Sequence, residues 1–476
     1  MLVTTSLLLS VLACRGDGDP PPTEPSPTSA ETAEPAEPLP TSTQPDLDVL
    51  RARLEGGGFV IGEGRSGVLP LEGCCDWISC FKWNPSSAYA LWFLPLSPGE
   101  SPVGRDLDED GLAWHWRLRP DEAIVSIGPT PPPMRYHSYR TYIHATWSDE
   151  LQAHIPGFDN LGDSLNQLVM NTEGGEPWNA TTVIISAVDA EVEAQVRQAL
   201  VGAGYPEAWI NTDIIPADRV ELGTHDEADT VRMIHRVALF DDPLAGASWL
   251  ASPPETIWRL TPSDLKPDVV PIEVPPFRTG GRAPGDDESS LGPAVEALAQ
   301  AIRDAHPELL SVEAPVNVRE LDLSEDCWSG CNRDSHQSNI AAVTFPEGPE
   351  HFMVAFGVNH HATGRASYQN AIVFGVDNDD PAGWVDDPDF VGSARDYLPD
   401  HPDVDLLYAW SFSRDCAGRA HCTELVSGCP GLSEGEKAAI HFRSYLDPQT
   451  GVAPYADELQ SERVLVFKPD DAGATR

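Results

Sequence analysis

The chain has 476 residues, of which 30 are Lys or Arg and 75 are Asp or Glu, so its formal net charge is −45. This charge excludes a nucleic-acid-binding protein, because nucleic-acid phosphates would be repelled. With 41% hydrophobic residues the chain can bury one large or two ordinary cores. It contains no apolar run as long as the roughly 18 residues that a membrane-spanning helix needs.

The N-terminal segment predicts export. Residues 2–13 (LVTTSLLLSVLA) are mostly apolar and end in a small residue, which is typical of a signal peptide cleaved after Ala13. The residues Val11-Leu12-Ala13-Cys14 resemble the lipobox of bacterial lipoproteins. That resemblance implies that Cys14 carries acyl chains and becomes the new N-terminus. A plain signal peptide with a free Cys14 is the alternative.

A low-complexity segment follows the cysteine. Residues 20–45 contain nine Pro, eight Ser or Thr and four Glu, a composition that cannot build a core. We therefore predict a signal peptide over residues 1–13 and a lipidated, disordered tether over 14–48. Since the acidic body would be repelled by anionic lipids, we expect membrane contact through the acyl chains alone. The predicted location is the bacterial cell envelope, at the outer membrane or cell surface.

An N-terminal lobe is predicted over residues 49–262. Its first elements are a helix over 46–54 and strands over 89–96, 123–127 and 136–143. Between 181 and 260 the elements follow the order βαββαβ, which resembles the ferredoxin-like fold. The resemblance implies an antiparallel sheet whose apolar side chains face one helix. These are Val183, Ile185, Val231 and Ile257, facing Val192 and Val196.

A Pro- and Gly-rich segment over residues 263–290 predicts an ordered crossing to a second lobe. This C-terminal lobe is predicted over 291–470. Its elements are helices over 293–305 and 390–397 and strands over 351–358, 370–376, 405–412 and 464–467. The predicted fold class is therefore α+β, with mainly antiparallel sheets in two lobes and a ferredoxin-like unit in the first.

Eight cysteines remain after Cys14, and export would place them in oxidising surroundings, where disulfides are the default. They are Cys74, Cys75, Cys80, Cys327, Cys331, Cys416, Cys422 and Cys429. We predict the pairs Cys327–Cys331 and Cys416–Cys422, with Cys429 joined to the cluster at 74–80. A zinc site is the alternative, but the spacings lack the paired C-x₂-C of common zinc modules.

Two short motifs suggest chemistry. Asp106, Asp108 and Asp110 alternate ahead of a glycine, as in a calcium-binding turn, although Arg117 occupies the position of the usual bidentate Glu. An acidic surface turn is the alternative. Gly162-Asp163-Ser164-Leu165 spells the tetrapeptide of the GDSL esterases and lipases, whose Ser is a nucleophile. However, none of the 14 His has an Asp three positions before it, so chance is the better account of this match.

The densest polar cluster lies between two apolar strands, at residues 357–368. Adjacent His residues in extended chain point to opposite sides, so one of them could serve as metal ligand or general base while Arg365 holds an anion. A hairpin with ordinary polar packing is the alternative. The candidate catalytic residues are His360, His361, Arg365 and Tyr368, and Asn359 is a candidate for ligand binding. Further metal ligands could come from His137, His144, His336 and Asp334.

The strand over 136–143 is aromatic and basic, which is unusual in so acidic a chain. It could line a ligand groove, or its side chains could pack as cross-strand pairs. The candidate ligand-binding residues are Tyr136, His137, Tyr139, Arg140, Tyr142 and His144.

The folded body resembles no family of known activity. We therefore predict a lipid-anchored extracytoplasmic protein that binds a small molecule or a protein partner between its lobes. The alternatives are a metal-assisted enzyme centred on His360 and a serine hydrolase that uses Ser164; calcium is the candidate cofactor.

Overall fold

The computed structural model describes most of the chain after the predicted tether. The described residues are 45–69, 82–266, 268–319, 333–340, 342–344, 348–377, 379–428, 431–433 and 435–469. The predicted leader, Cys14 and nearly all of the tether lie outside them, as do Cys74, Cys75, Cys80, Cys327, Cys331 and Cys429. In the described part of the chain, no helix combines the length and the apolar character needed to cross a membrane.

The described residues form five α-helices. Three of them begin at an aspartate whose side chain accepts backbone N–H groups of the first turn: Asp46 for α1, Asp189 for α2 and Asp242 for α3. Such caps satisfy donors that have no partner within the helix. The helices are α1 (Leu47–Gly56), α2 (Ala190–Gly202), α3 (Pro243–Ala251), α4 (Gly292–Asp304) and α5 (Asp387–Phe390).

The first half of the described chain builds one sheet of 11 strands. They are β1 (Phe59–Val68), β2 (Ser87–Pro95), β3 (Leu112–Ala113), β4 (Ala123–Pro129), β5 (Met134–Ser148), β6 (Ala153–Pro156), β7 (Leu165–Asn166), β8 (Thr181–Ala187), β9 (Ile210–Ile214), β10 (Thr230–Phe240) and β11 (Thr256–Pro262). The strand order is β6-β5-β10-β2-β1-β11-β4-β8-β9, with β3 beside β2 and β7 beside β5. The pairs are antiparallel apart from β8 with β9.

The six elements from β8 to β11 occur in the predicted order, but their pairing is not that of a ferredoxin-like unit. Strand β10 pairs with β5 and β2, and β11 pairs with β1 and β4. The strand edges that would have paired within the predicted unit are therefore paired with strands from earlier in the chain, namely β1, β2, β4 and β5. As a result, Val183 and Ile185 pack against α2 as expected, whereas Val231 and Ile257 belong to a different apolar cluster.

The second half of the described chain builds a sheet of five strands and a sheet of six. The five-stranded order is β12-β22-β16-β19-β20, and the six-stranded order is β13-β14-β21-β17-β18 with β15 beside β21. The strands are β12 (Leu309–Ala314), β13 (Val316–Arg319), β14 (Ser335–Ile340), β15 (Val343–Thr344), β16 (Phe352–Val358), β17 (Tyr368–Gly375), β18 (Pro381–Asp386), β19 (Leu407–Ser413), β20 (Cys422–Glu424), β21 (Lys437–Tyr445) and β22 (Arg463–Pro469).

Strand β16 explains how these layers stack. Its side chains alternate, so Met353 and Ala355 enter the core shared with the six-stranded sheet. Phe352 and Val354 enter the opposite core, against α4. A strand that is buried on both faces has a continuous run of apolar residues in its sequence, and β16 has such a run. The α+β class with largely antiparallel sheets is thus confirmed, and so is the disulfide Cys416–Cys422, whose Cα atoms are 6.0 Å apart.

Candidate functional site

A buried carboxylate joins the 11-stranded sheet to the second half of the chain. Asp334, just before β14, accepts hydrogen bonds from Arg140 Nη2 (2.6 Å) and from the hydroxyl groups of Tyr136 (2.8 Å) and Ser164 (2.7 Å). The side chains of Asp334 and Arg140 are each 1% exposed. Burial alone would raise the pKa of Asp334, but Arg140 and the two hydroxyl groups outweigh burial and lower it. We call this set the Asp334 junction.

The GDSL tetrapeptide is part of this junction. Ser164 is fully buried; its hydroxyl donates to Asp334 and accepts from Asn166 Nδ2 at 3.0 Å. The neighbouring Asp163 accepts from Arg333 Nε at 2.6 Å. Among the described residues no imidazole bonds to Ser164, so the predicted base of a serine hydrolase is not found here.

Three neighbouring tyrosine rings continue the contact between the two halves. The ring centroids of Tyr136 and Tyr445 are 4.7 Å apart, and those of Tyr445 and Tyr368 are 5.0 Å apart. The Tyr368 hydroxyl donates to Asp386 Oδ1 at 2.7 Å. Burial raises the pKa of Asp386 to about 6, and the adjacent Asp387 adds to that rise. The structure therefore brings together Tyr136 and Tyr368, which were predicted separately.

The polar loop after β16 is a turn and not the extended chain expected from the sequence, and its two His side chains lie in different surroundings. Asn359 Oδ1 accepts the backbone N–H groups of His361 and Ala362, both at 3.1 Å, and so shapes the turn. His360 is buried, whereas the side chain of His361 is 34% exposed. Arg365, predicted to hold an anion, instead donates to Asp286 at 2.5 Å.

At the edge of the contact between the halves, His361 meets Arg135 at the start of β5. Arg135 Nη1 lies 2.8 Å from His361 Nε2, and His361 Nδ1 lies 3.2 Å from the carbonyl oxygen of Ala366. A neutral imidazole that donates through Nδ1 and accepts through Nε2 satisfies both contacts. The ring of His361 is therefore held in one orientation.

The carboxylate of Asp387 lies beside this pair. Its Oδ2 is 3.7 Å from Arg135 Nη2 and 4.0 Å from His361 Nε2. The side chain is 1% exposed, and Oδ2 has no hydrogen-bond partner. Burial raises the pKa of Asp387, while the positive charge of Arg135 opposes the rise. We call Arg135, His361 and Asp387 the edge site.

His360 lies in a separate buried cluster. Its Nδ1 is 2.7 Å from Glu288 Oε2, and its Nε2 is 3.4 Å from Glu462 Oε1. Burial alone would lower the pKa of His360, but the two carboxylates outweigh it and raise the pKa to about 10. His360 is therefore an imidazolium at neutral pH, and an imidazolium has no lone pair to bind a metal. Nearby His336 has a pKa lowered chiefly by burial.

No group of three or more His, Cys, Asp or Glu in the described ranges has a geometry that could hold a metal ion. The predicted calcium turn uses its oxygens internally. Asp108 accepts from Arg65 at 2.5 Å and from the backbone N–H groups of Asp110 and Leu112, and Asp106 accepts from Trp114 Nε1 at 3.1 Å. Both oxygens of Asp108 therefore have donors from the chain itself, and calcium binding at this turn stays a prediction.

The other predicted residues of β5 lie on its two faces. Tyr139 is in the core, where its hydroxyl donates to Glu255 at 2.8 Å and its ring stacks on His235 at 3.6 Å. Buried His137 lies in the same cluster, 5.5 Å from His235 between ring centroids. His144 packs instead against His115 at 4.3 Å. None of these three joins the edge site.

Sequence reasoning missed Arg135, Asp386 and Asp387 in this region, and Glu288 and Glu462 around His360. The sequence did carry one signal for two of these residues. Charged residues at the end of an apolar strand often make a specific contact. Asp386 is the last residue of β18, a mostly buried strand, and Asp387 directly follows it.

No family model and no curated protein matches the chain. The solved structures that resemble it include the following two. The VPA0106 protein from Vibrio parahaemolyticus has a TM-score of 0.38 at 10% identity, covering 88% of this chain and 96% of its own. An uncharacterized protein from Burkholderia cenocepacia has a TM-score of 0.36 at 11% identity, covering 90% and 87%. Both TM-scores are low, so neither fold nor function follows from these likenesses.

The Asp334 junction predicts a large loss of stability in the variant Asp334→Asn. This change would leave the buried Arg140 charge without its partner, so the free energy of unfolding should fall by about 3–5 kcal/mol. Urea unfolding would measure it. The matched control is Asp405→Asn, which breaks an exposed pair with Arg395 and should cost at most about 1 kcal/mol. Similar losses in both variants would contradict the importance of the junction.

The His360 cluster predicts a pH-dependent contribution to stability. The raised pKa of His360 gives stability that is complete below its usual value of 6.5 and is lost as the pH rises towards about 10. The lowered pKa values of Glu288 and Glu462 give stability that is complete above their usual value of 4.5 and is lost at more acid pH. The stabilisation should therefore be greatest between these two usual values.

Urea unfolding of the native chain and of His360→Gln across this range would test the prediction. The difference in unfolding free energy should be largest in mildly acid solution and should shrink towards alkaline pH. His401→Gln, at the surface, is the control and should change stability by less than about 0.5 kcal/mol. A difference that does not vary with pH would contradict the assigned charge of His360.

Proposed function

We propose that this chain is a lipid-anchored, extracytoplasmic binding protein that takes a small polar molecule at the edge site. The lipobox-like residues ahead of Cys14 and the Pro-rich tether support the anchor. Such a tether would hold the body away from the lipid surface, because Pro-rich chain is extended at roughly 3.1 Å per residue. Export from the cytoplasm is consistent with the disulfide Cys416–Cys422.

The observation that carries the proposal is the unpartnered oxygen of Asp387. Leaving a buried charged oxygen without a hydrogen bond costs free energy, so such atoms are rare in the interior. The neighbouring side chains of Arg135 and His361 are 33% and 34% exposed, so solutes can reach this edge. A ligand that donates to Asp387 Oδ2 and accepts from Arg135 would satisfy both groups.

Binding is better supported than catalysis. His360, the centre of the alternative metal-assisted enzyme, is an imidazolium in ion pairs with two carboxylates. In the edge site, His361 already has a partner at each ring nitrogen, so it is positioned to orient a ligand. No described Ser, Thr or Cys is paired with an imidazole there, which a covalent mechanism would require.

Replacing the predicted acylated residue by Cys14→Ser should release the protein from membranes. Without acyl chains the acidic body has nothing that favours the lipid surface. Fractionation of bacterial cells that express the chain, followed by immunoblotting, would measure the distribution. The control Ser42→Ala changes the tether alone and should stay with the membranes. The anchor is contradicted if native chain and Cys14→Ser are found in the same fraction.

The edge site predicts that a small polar ligand stabilises the native chain and not Asp387→Asn. Thermal unfolding would be measured with three probes. Glycine presents an ammonium and a carboxylate, glucose presents hydroxyl groups, and ethylamine presents an ammonium alone. We expect at least one probe to raise the melting temperature of the native chain, because a ligand that binds the folded state stabilises it. Asp405→Asn, the same substitution at the surface, should respond like the native chain. Equal responses of Asp387→Asn and native chain, or none from any probe, would refute the site.

A further inference from the structure

Three arginines share one face of the 11-stranded sheet. On β5 this face carries Arg140 and Tyr142, and on β10 it carries Arg232 and Arg236. Arg232 is directly opposite Tyr142, and Arg236 is opposite Tyr89 of β2. Since alternate residues of a strand point to the same side, these side chains lie together. We call Arg140, Arg232 and Arg236 the arginine face.

The positive charge of the arginine face exceeds the negative charge around it. Arg140 is paired with Asp334, but Arg232 and Arg236 form no ion pair with any carboxylate of the described chain. Nε of Arg232, and Nε and Nη1 of Arg140, are buried without a hydrogen-bond partner. Burial and then Arg236 lower the pKa of Arg232 to about 10. Within the described residues of this acidic chain, Arg232 and Arg236 are therefore two neighbouring cations without a carboxylate partner.

Aromatic rings surround these cations. The guanidinium of Arg236 lies 2.8 Å from the Tyr142 hydroxyl group, to which it donates. That of Arg232 lies 5.0 Å from the Phe158 ring centroid and 5.6 Å from the Trp114 centroid. Such cation–π contacts offset part of the cost of burial. Phe158 is 48% exposed, so a flat molecule can reach it from solution.

We propose that the arginine face binds an organic oxyanion, meaning a carboxylate, sulfate or phosphate group on a flat apolar body. The oxyanion would accept from Arg232 and Arg236, whose planar forks match its geometry. The apolar body would pack on Phe158. Exposure falls along the face: Arg232 is partly exposed, Arg236 is 7% exposed and Arg140 is 1% exposed. Arg232 is therefore the arginine that a ligand meets first.

This site uses different residues from the edge site, so either can fail without the other. Calorimetric titration with phenyl phosphate and with inorganic phosphate tests it directly. At about 0.15 M salt the screening length is about 8 Å, so distant acidic residues contribute little. We expect phenyl phosphate to bind the native chain more tightly than inorganic phosphate does.

Arg232→Gln should weaken phenyl phosphate binding at least about tenfold, which corresponds to the loss of one charge-assisted hydrogen bond. Arg232→Lys keeps the positive charge but not the planar fork of hydrogen-bond donors. Its affinity for phenyl phosphate should therefore lie between those of the native chain and Arg232→Gln. The charge-matched control is Arg395→Gln at the surface, which should leave the affinity unchanged. Phe158→Ala should weaken phenyl phosphate binding and leave inorganic phosphate binding unchanged.

Ligand-free stability separates a binding role of Arg232 from a packing role. Because Arg232 lies beside a like charge without an ionic partner, the melting temperature of Arg232→Gln should equal or exceed that of the native chain. A lower melting temperature with unchanged phenyl phosphate binding would make Arg232 a packing residue and overturn the proposal. Failure of both anions to bind the native chain, or an equal loss of affinity in Arg395→Gln, would also overturn it.

Discussion

The contact between the two halves of this protein depends on one buried negative charge. Asp334 can be ionised in the interior because Arg140 neutralises it and two hydroxyl groups donate to it. Those partners come from β5 and from the segment before β7, while Asp334 itself precedes β14. All three segments must therefore be in place together, since a buried charge that has lost its partner is costly. The same strand carries Arg135 to His361, so this one charge also positions the edge site.

The buried charges of the molecule fall into two groups. Asp334 with Arg140, and His360 with Glu288 and Glu462, are compensated within the chain, and their role is structural. Asp387 Oδ2 and Arg232 Nε have no hydrogen-bond partner among the described residues, and neither Arg232 nor Arg236 has a carboxylate partner there. A folded protein that tolerates such groups gives up stability for them. Their placement near partly exposed side chains is the physical basis for assigning them to ligands.

Much of the fold follows from local pattern. Alternation of side chains predicted β5 and β10, leucine spacing predicted α1, and apolar runs predicted β16 and β17. Strand pairing did not follow, because it depends on which distant strands compete for each edge. That competition replaced the ferredoxin-like pairing with one sheet of 11 strands.

The candidate site was predictable to a similar degree. His360 and His361 do lie in different surroundings, although the backbone there is a turn and not extended, and both Tyr136 and Tyr368 were singled out by composition. Their contacts were not predictable, since Arg135 and His361 are 226 residues apart in sequence. No local pattern encodes a contact across such a distance. The charge of His360 was also inaccessible, because it is set by Glu288 and Glu462 from two remote segments.

The position of β22 within its sheet has a consequence for how the protein reaches its native state. This strand is the last of the described chain, yet it lies between β12 and β16 and pairs with both. The five-stranded sheet cannot close until the ribosome has synthesised the chain as far as residue 469. Assembly of this sheet therefore depends on pairing between segments that are far apart in sequence, and such long-range pairing slows folding.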